Sequence, residues 1–297
     1  MSEGVVHLNG ELVPAEEAAV SVHDRGLRYG DGAFETLRAY GGRVFAWEAH
    51  AARLERTCET LGFADAVPSA ATLQERVLAT LEANDLADAY VRVTITRGEQ
   101  AGKLTPAPDP APTVIVVARS LPRGGLAGDP VWDEPAVLQT VRTRRIPDAA
   151  IPADAKTLNY LNGILARLEL QRAATDEFAA DEAVMRDGED TVLEGATSNL
   201  FVVDGGRLLT PSAELDLLPG ITREIVLELA REEDFPVETG RFGLDTLRDA
   251  DEAFLTNTTW EVRPVGVVDG IDLERGPITS LLRRRYAERV EAACYED

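Results

Sequence analysis

The chain contains little cysteine and histidine. Its two cysteines, Cys58 and Cys294, are too few among 297 residues for a disulfide framework to hold the fold. The three histidines, His7, His23 and His50, stand far apart and match no metal-ligand spacing. The sequence therefore predicts no metal site, and it favours core packing over a redox role for Cys58.

Long apolar runs are also missing. No stretch approaches the length that a bilayer-spanning helix needs. The first residues, MSEGVVHLNGELVP, lack the basic and then apolar pattern of a secretory leader. We therefore expect the protein to stay in the cytoplasm.

Ser198 lies in TSN without the glycines of a nucleophile elbow, which argues against a serine hydrolase.

Basic residues are outnumbered by acidic ones. The chain carries 30 Lys and Arg against 52 Asp and Glu, for a formal charge of -22, and the acidic residues are spread along its whole length. This pattern is typical of a solvated, halophile-like surface. Such a charge repels nucleic acid backbones and anionic lipid, so we expect neither nucleic acid nor a membrane surface as a partner.

Lysine is the rare basic residue, because it occurs only at positions 103 and 156. Arginine stays protonated and is a poor nucleophile, whereas a desolvated lysine amine loses its proton and attacks carbonyls. Lys103 lies in a loop rich in Gly and Pro, where a solvated role suffices. Lys156 begins KTLNYLNGILARLEL, just before a predicted helix. The sequence favours Lys156 as a Schiff-base lysine over a surface lysine with its stem on apolar neighbours.

The predicted elements indicate an α+β chain of two domains. The first domain, 1–119, has hairpin signals at Asn9-Gly10 and Gly41-Gly42 and helices near 47–61 and 70–83. A segment rich in Gly and Pro, 120–132, is the predicted linker. The second domain, 133–297, has helices near 161–174, from Pro219 and near 277–293.

The helix after Lys156 has its apolar residues on one face. Those residues, at helical spacing, are Leu161, Ile164, Leu165 and Leu168. We expect this face to point to the interior together with Lys156, where desolvation would lower the pKa of the lysine.

The segment LEGATSNLFVV places Glu194 at the end of one predicted strand and Asn199 at the start of the next. Gly195 permits a tight bend between them. A carboxylate at such a turn is usually solvated. Beside a pyridine ring, it would instead keep the ring nitrogen protonated, so that the ring draws electrons from a substrate. Both interpretations stay open on this segment alone.

The segment LLPGITREIVLELA has a proline and a glycine directly before a predicted helix. The amides of Ile221 and Thr222 are then free at the positive end of the helix dipole. This pattern predicts a phosphate-binding helix start. Thr258 in TNTT and Arg53 in HAARLERT are available as further donors.

Four motifs, in this order and at these separations, resemble the class IV aminotransferases. They are DRGLRYGDGAFETLR, KTLNYLNGILA, EGATSNLF and LPGITRE, and the resemblance covers nearly the whole chain. It implies fold type IV, in which two α/β domains hold pyridoxal 5'-phosphate (PLP) in the cleft between them. It also implies a homodimer in which a loop of the partner completes the site.

The same resemblance implies roles for individual residues. Lys156 would carry PLP and act as general base, and Glu194 would pair with the pyridine nitrogen. The implied phosphate-binding residues are Arg53, Ile221, Thr222 and Thr258. Tyr160 would hydrogen-bond the ring hydroxyl, although its spacing from Lys156 is one residue shorter than in the branched-chain enzymes.

Three activities share this scaffold: L-branched-chain aminotransferase, D-amino acid aminotransferase, and aminodeoxychorismate lyase, which forms 4-aminobenzoate and pyruvate. The residues that resemble the branched-chain substrate pocket are Tyr29, Phe34, Arg38, Tyr90, Arg92 and Thr259. By contrast, DRGLRYGDGAFET and Arg97 are nearer to the other two groups. We predict amino transfer from an L-branched-chain amino acid or glutamate to a 2-oxo acid. The lyase, the D-specific enzyme and a non-catalytic PLP-binding protein stay as alternatives.

Overall fold

The computed structural model describes residues 4–122, 134–175 and 178–295. The chain divides into two compact units. The first comprises Met1–Gly128, Ala155–Asn159 and Ala293–Asp297, and the second comprises Asp129–Asp154 and Tyr160–Ala292. Most of the predicted linker, 120–132, lies outside the described residues, so the predicted domain boundaries stay predictions.

The first unit is built on a six-stranded antiparallel sheet in the order β2-β1-β6-β5-β3-β4. Its strands are β1 (Val5–Leu8), β2 (Glu11–Pro14), β3 (Gly32–Tyr40), β4 (Arg43–Val44), β5 (Ala89–Thr96) and β6 (Thr113–Ser120). Its helices are α1 (Arg25–Tyr29), α2 (Trp47–Thr60) and α3 (Ala70–Ala83). The last two pack on one face of the sheet.

The two faces of this sheet are distinguished by the alternation along β5. Val91, Val93 and Ile95 are fully buried and pack with residues of α2 and α3 in the core of the unit. Branched side chains at a period of two are what such a face requires. Tyr90 and Arg92 alternate with them, are half-buried, and therefore lie on the opposite face.

The segment that carries Lys156 is attached to the edge of β3 that faces away from β5. The amide of Phe34 donates to the carbonyl of Lys156 (3.1 Å), and the amide of Leu158 donates to the carbonyl of Gly32 (2.9 Å). A Cβ at Gly32 would lie 2.5 Å from the carbonyl oxygen of Ile95 on β5 and 2.8 Å from Leu158 Cδ1 on the Lys156 segment, so glycine is needed where β3 lies between the two. The candidate lysine is thus fixed to the sheet through its backbone.

The second unit contains a nine-stranded sheet. Its strands are β7 (Ala136–Thr140), β8 (Glu182–Arg186), β9 (Val192–Glu194), β10 (Asn199–Asp204), β11 (Arg207–Pro211), β12 (Val237–Gly240), β13 (Glu252–Asn257), β14 (Glu261–Val268) and β15 (Ile271–Asp272). Its helices are α4 (Leu161–Ala173), α5 (Ile221–Glu232), α6 (Leu244–Arg248) and most of α7 (Pro277–Cys294).

Six of these strands close into a ring. β9 pairs with both β8 and β10, so the order β10-β13-β14-β7-β8-β9 returns to β10. The closing pair is Glu194 and Asn199. Val184, Leu200 and Leu255 belong to the apolar core of the ring. Because successive strand residues face opposite sides, Asn199 lies on the other side from Leu200.

Helix α4 differs from its sequence-based prediction. Leu161, Ile164 and Leu165 are 65%, 54% and 46% exposed, and the buried residues of the helix are instead Ala166 and Leu170. The expectation that the first three point to the interior is therefore wrong.

Among the described residues, no helix combines the length and apolar character needed to cross a membrane.

Candidate active site

Lys156 lies beside the aromatic ring of Phe34. Its amide donates to the hydroxyl of Thr57 on α2 (3.1 Å), and its ammonium nitrogen lies 4.5 Å from the centroid of the Phe34 ring. The residue is half-buried. The backbone of Lys156 is thus hydrogen-bonded to both α2 and β3, and its side chain packs against the ring of Phe34.

A buried charge cluster lies in the same unit between β3 and α2. Glu35 accepts from Arg53 Nε at Oε1 (2.7 Å) and from Arg53 Nη2 at Oε2 (2.8 Å), and His50 Nδ1 lies 2.8 Å from the same Oε2. All three side chains are buried. Burial alone would raise the pKa of Glu35, but the charge and hydrogen bonds of Arg53 and His50 lower it to about 2.

The same surroundings lower the pKa of the His50 imidazole. Burial lowers the pKa of His50, and the charges of Arg53 and Lys156 act in the same direction, although the hydrogen bond to Glu35 opposes them. Glu35 and His50 were not among the predicted site residues. An acidic residue inside GAFET and a histidine on the buried face of a predicted helix were the available signals.

Arg92 shares the ring of Phe34 with Lys156. The residues of β3 and β5 pair in register, with Phe34 opposite Thr94 and Thr36 opposite Arg92. The guanidinium carbon of Arg92 lies 3.7 Å from the centroid of Phe34, a cation–π distance. Within the described residues Arg92 makes one hydrogen bond, from Nε to Thr94 Oγ1 (3.3 Å).

Arg38 and Tyr90 are opposite each other on the same face of the sheet. Arg38 is buried, with its guanidinium 4.6 Å from the centroid of the Tyr40 ring and Nη2 donating to the carbonyl of Pro122 (3.2 Å). The guanidinium of Arg119 lies 5.2 Å from the centroid of the Tyr90 ring. Both predicted pocket residues thus have contacts within the first unit.

Arg97 and Tyr29 make their contacts elsewhere in the first unit. Arg97 donates from Nε to Asp31 Oδ2 (2.8 Å) and from Nη2 to the carbonyl of Leu61 (2.5 Å). Burial would raise the pKa of Asp31, and the guanidinium groups of Arg97 and Arg25 bring it below its ordinary value. The hydroxyl of Tyr29 donates to the carbonyl of Gly102 (3.3 Å).

Glu194, in the second unit, has both carboxylate oxygens bound. Arg145 Nε lies 2.7 Å from Oε1, and Oε2 accepts from the amide of Leu218 (3.1 Å) and from Asn199 Nδ2 (3.3 Å). The guanidinium of Arg145 stabilises a negative charge on the carboxylate. Arg145 was not predicted as a site residue, since nothing in TRRIP relates it to Glu194.

The turn after Glu194 is organised by a second carboxylate. Glu182 is fully buried and accepts from the amides of Ala196 and Thr197 (3.2 Å each) and from the hydroxyl of Ser198 (3.2 Å). A buried carboxylate of this kind is stable only when hydrogen-bonded. It fixes the backbone between Glu194 and Asn199.

Helix α5 begins at Ile221, after a residue that has no side chain to cap it. Gly220 occupies this N-cap position, and a Cβ there would lie 2.0 Å from Asn199 Oδ1. The amides of the first turn have no partner within a helix. With Thr222 buried beside them, these amides suit an anionic oxygen.

The remaining predicted residues of the second unit lie at element ends. Thr258 and Thr259 follow β13 in the turn to β14, and Asn257 Oδ1 accepts from the amides of Thr259 (3.0 Å) and Trp260 (2.7 Å). Tyr160 is the residue directly before α4. Asn257, whose side chain fixes this turn, was not among the predicted site residues.

The donor groups suit the chemistry of PLP. Lys156 offers an amine to an aldehyde, Glu194 offers a carboxylate to a pyridinium nitrogen, and the start of α5 offers amides to a phosphate. No side chain caps that helix start, and the position of a Cβ at Gly220 is taken by Asn199, whose Oδ1 would lie 2.0 Å from it. The residues present therefore fit this cofactor.

A model of the family described as Amino-transferase class IV matches residues 32–268. The chain belongs to this family of PLP-dependent enzymes, which confirms the resemblance predicted from its four motifs. The predicted cofactor, PLP, and the assignment as an aminotransferase are confirmed with it.

Individual relatives carry two different names. The chain is 37% identical over 287 residues to a putative branched-chain-amino-acid aminotransferase of Methanocaldococcus jannaschii, covering 95% of both chains. It is 34% identical over 301 residues to a D-alanine aminotransferase of Listeria monocytogenes, covering 98% of both. The solved branched-chain aminotransferase of Thermoproteus uzoniensis matches with a TM-score of 0.89 and 32% identity, over 99% of this chain and 97% of that one. The predicted fold, type IV, is thereby confirmed.

Proposed function

We propose that this aminotransferase takes the amino group from an L-branched-chain amino acid or L-glutamate and passes it to a 2-oxo acid. The observation that carries the proposal is the contrast between two arginines. The guanidinium of Arg97 is already bound to Asp31 and to the carbonyl of Leu61. The guanidinium of Arg92 packs on the ring of Phe34, and the amine of Lys156 lies near the same ring.

Arg92 is our candidate for holding the substrate carboxylate. Its one hydrogen bond within the described residues uses Nε, which leaves the terminal nitrogens for a forked contact with a carboxylate. Arg97 was the residue nearer to the D-specific and lyase groups. Its buried, structural contacts therefore favour the L-specific alternative. The further substrate residues we propose are Tyr29, Phe34, Arg38, Tyr90 and Thr259.

We propose roles for individual residues toward PLP, which when bound supplies a ring that accepts electrons from the substrate Cα. The amine of Lys156 would hold the aldehyde of the cofactor and, as a free amine, would take the proton from the substrate Cα as general base. Glu194 would accept a hydrogen bond from the ring nitrogen, and Tyr160 would form a hydrogen bond with the ring hydroxyl. The phosphate-binding residues we propose are Arg53, Ile221, Thr222 and Thr258.

The donor preference is tested by following the visible absorbance of the purified enzyme in high salt while one donor at a time is added without an oxo acid. We expect L-leucine and L-glutamate to convert the yellow form of the enzyme to the pyridoxamine form, and D-alanine to leave it unchanged. Conversion by D-alanine alone would show that the enzyme is specific for D-amino acids. A band that none of the three donors changes would favour the lyase, and release of 4-aminobenzoate from aminodeoxychorismate would establish it.

The same cuvettes test the carboxylate anchor with Arg92→Gln. We expect the yellow band of this variant to be unchanged, because Arg92 has no proposed contact with PLP. The concentration of L-leucine needed for half conversion should rise about 10- to 100-fold, since one charged hydrogen-bonding partner is lost. An unchanged concentration would assign the carboxylate to another residue.

A homodimer is the second part of the proposal, and the exposed apolar residues of α4 support it. Leu161, Ile164 and Leu165 occupy adjacent positions along one turn of the helix. They are at least 46% exposed in the single chain. Adjacent exposed apolar side chains of this kind are typical of an interface. We propose that this part of α4 is covered by a second copy of the chain.

A charge at this surface should dissociate the dimer. We expect Leu165→Glu to shift the mass measured by light scattering from two chains to one, because the interface would have to bury a carboxylate. Leu78→Glu is the matched control, since Leu78 is 42% exposed on a helix of the first unit, and it should leave the mass unchanged. A variant that stays dimeric, or a monomeric parent enzyme, would contradict the proposal.

The acidic surface supports a halophilic enzyme. A formal charge of -22 repels itself at low ionic strength, and salt near 1 M shortens the screening length to about 3 Å. We therefore propose that the folded enzyme is most stable in concentrated salt. The expected cytoplasmic location stays a prediction.

A further inference from the structure

The backbone of Leu218 is held at both of its polar groups by two neighbouring side chains. Its amide donates to Glu194 Oε2 (3.1 Å), and its carbonyl accepts from Asn199 Nδ2 (2.9 Å). The same Nδ2 also donates to Glu194 Oε2 (3.3 Å). Glu194, Asn199 and Leu218 therefore form a closed triangle of hydrogen bonds.

Leu218 stands three residues before α5, so this triangle determines where the helix begins. Asn199 approaches the N-cap residue as well, because a Cβ at Gly220 would lie 2.0 Å from Asn199 Oδ1. One face of the asparagine amide thus holds the carbonyl of Leu218, and its oxygen lies against the backbone of Gly220. A displacement of Asn199 would displace the first turn of α5.

The position of Asn199 itself is fixed by the ring of strands. Asn199 pairs with Glu194 where β9 closes on β10, and it pairs with Thr256 on the next strand, β13. Glu194 has an additional support, since Arg145 holds its other oxygen at 2.7 Å. Removing the Asn199 amide would therefore leave Glu194 held and release the segment that leads to α5.

We propose that Asn199 is a positioning residue that couples the carboxylate facing the cofactor ring to the phosphate-binding start of α5. This inference rests on the proposed roles of Glu194, Ile221 and Thr222. Asn199 acts through the Leu218–Gly220 backbone and needs no contact with the cofactor. Loss of the Asn199 side chain should weaken binding of the cofactor phosphate more than binding of the cofactor ring.

The test compares two ligands that differ only in the phosphate. Dissociation constants for PLP and for pyridoxal, which carries a free hydroxymethyl group instead, are measured from the visible band in high salt. The dissociation constant of pyridoxal divided by that of PLP reports the contribution of the phosphate. We expect this ratio to fall about tenfold in Asn199→Ala, the effect of losing one well-placed hydrogen bond to the phosphate, although no residue of the phosphate site is changed.

Asn84→Ala is the matched control, because there too an asparagine side chain holds the backbone of a distant residue. Asn84 Oδ1 accepts from the amide of Val5 and its Nδ2 donates to the carbonyl of Val5 (2.8 Å each), in the first unit. We expect this variant to lose thermal stability with an unchanged ratio. Asn199→Leu, which keeps the approximate size of the side chain without its donors, serves as a second test if the alanine variant does not fold.

An unchanged ratio in both Asn199 variants would overturn the inference while leaving the proposed function intact. An equal fall in Asn84→Ala would also overturn it, since the effect would then reflect general destabilisation. Failure of the parent enzyme to bind PLP would contradict the proposed function, and the inference with it.

Discussion

Replacing Lys156 by alanine should remove both the visible band of the bound cofactor and the turnover. The amine at this position is proposed to hold PLP and to move the Cα proton, so one substitution deletes two functions. We expect turnover to fall by at least about 10⁴-fold, the upper range for loss of a single acid–base group. Lys156→Arg should be equally inactive, because it keeps the charge and removes the nucleophile.

The scarcity of lysine makes this prediction unusually easy to check. Borohydride reduction of the holoenzyme fixes the cofactor to the lysine that holds it, and peptide mass analysis then identifies that lysine. The chain offers only two lysines, Lys103 and Lys156. We expect the reduced cofactor on the peptide that contains Lys156. Lys103→Arg is the matched control and should retain the band and full turnover. Label on Lys103, or full turnover of Lys156→Ala without an added amine, would show that the assignment is wrong.

The local features of this chain could be predicted because short segments determine them. The helix predicted near 47–61 is α2, at Trp47–Thr60, and the one near 70–83 is α3, at Ala70–Ala83. Both have the apolar period of a helix packed on a sheet. The predicted helix from Pro219 begins at Ile221, since a proline and a glycine precede it in the sequence.

Contacts between distant segments could not be predicted in this way. Arg145 and Glu194 are separated by 49 residues, and the closure of the ring at Glu194 and Asn199 depends on strands whose order no local pattern specifies. The outward face of α4 was misjudged for a related reason. Helical spacing shows that apolar residues share a face, but it cannot distinguish the core of one chain from an interface.

Glu35 illustrates the same limit within the candidate site. In GAFET it is one residue of an alternating strand, and only the folded chain shows that Arg53 and His50 of α2 lie against it. This pairing changes the expected role of Arg53. Its charge is balanced by Glu35 before any phosphate binds, so Arg53 offers directed hydrogen bonds more than net positive charge.

Glu35 should also control how the stability of the enzyme depends on pH. Its folded-state pKa, about 2, lies below the ordinary value of 4.5. The stabilisation is therefore fully present above about pH 4.5 and is lost as the pH falls towards 2. The pKa of His50 is lowered as well, so below its ordinary value of 6.5 the unfolded chain binds a proton that the folded chain does not. Both groups make the enzyme less stable in acid.

Replacing Glu35 by glutamine should therefore lower the stability most at neutral pH and least in acid. At pH 7 we expect a loss of about 3 kcal/mol, because the buried guanidinium of Arg53 would keep its charge without a counter-ion. Denaturant unfolding at constant high salt and pH 7, 5.5, 4 and 3 measures the difference from the parent enzyme, which should shrink below pH 4.5. Glu48→Gln is the control. Glu48 is exposed at the start of α2, the helix that carries Arg53, and its replacement should change the stability by less than about 0.5 kcal/mol. If the loss in Glu35→Gln were the same at every pH, the ionised pair would not be the source of the stabilisation.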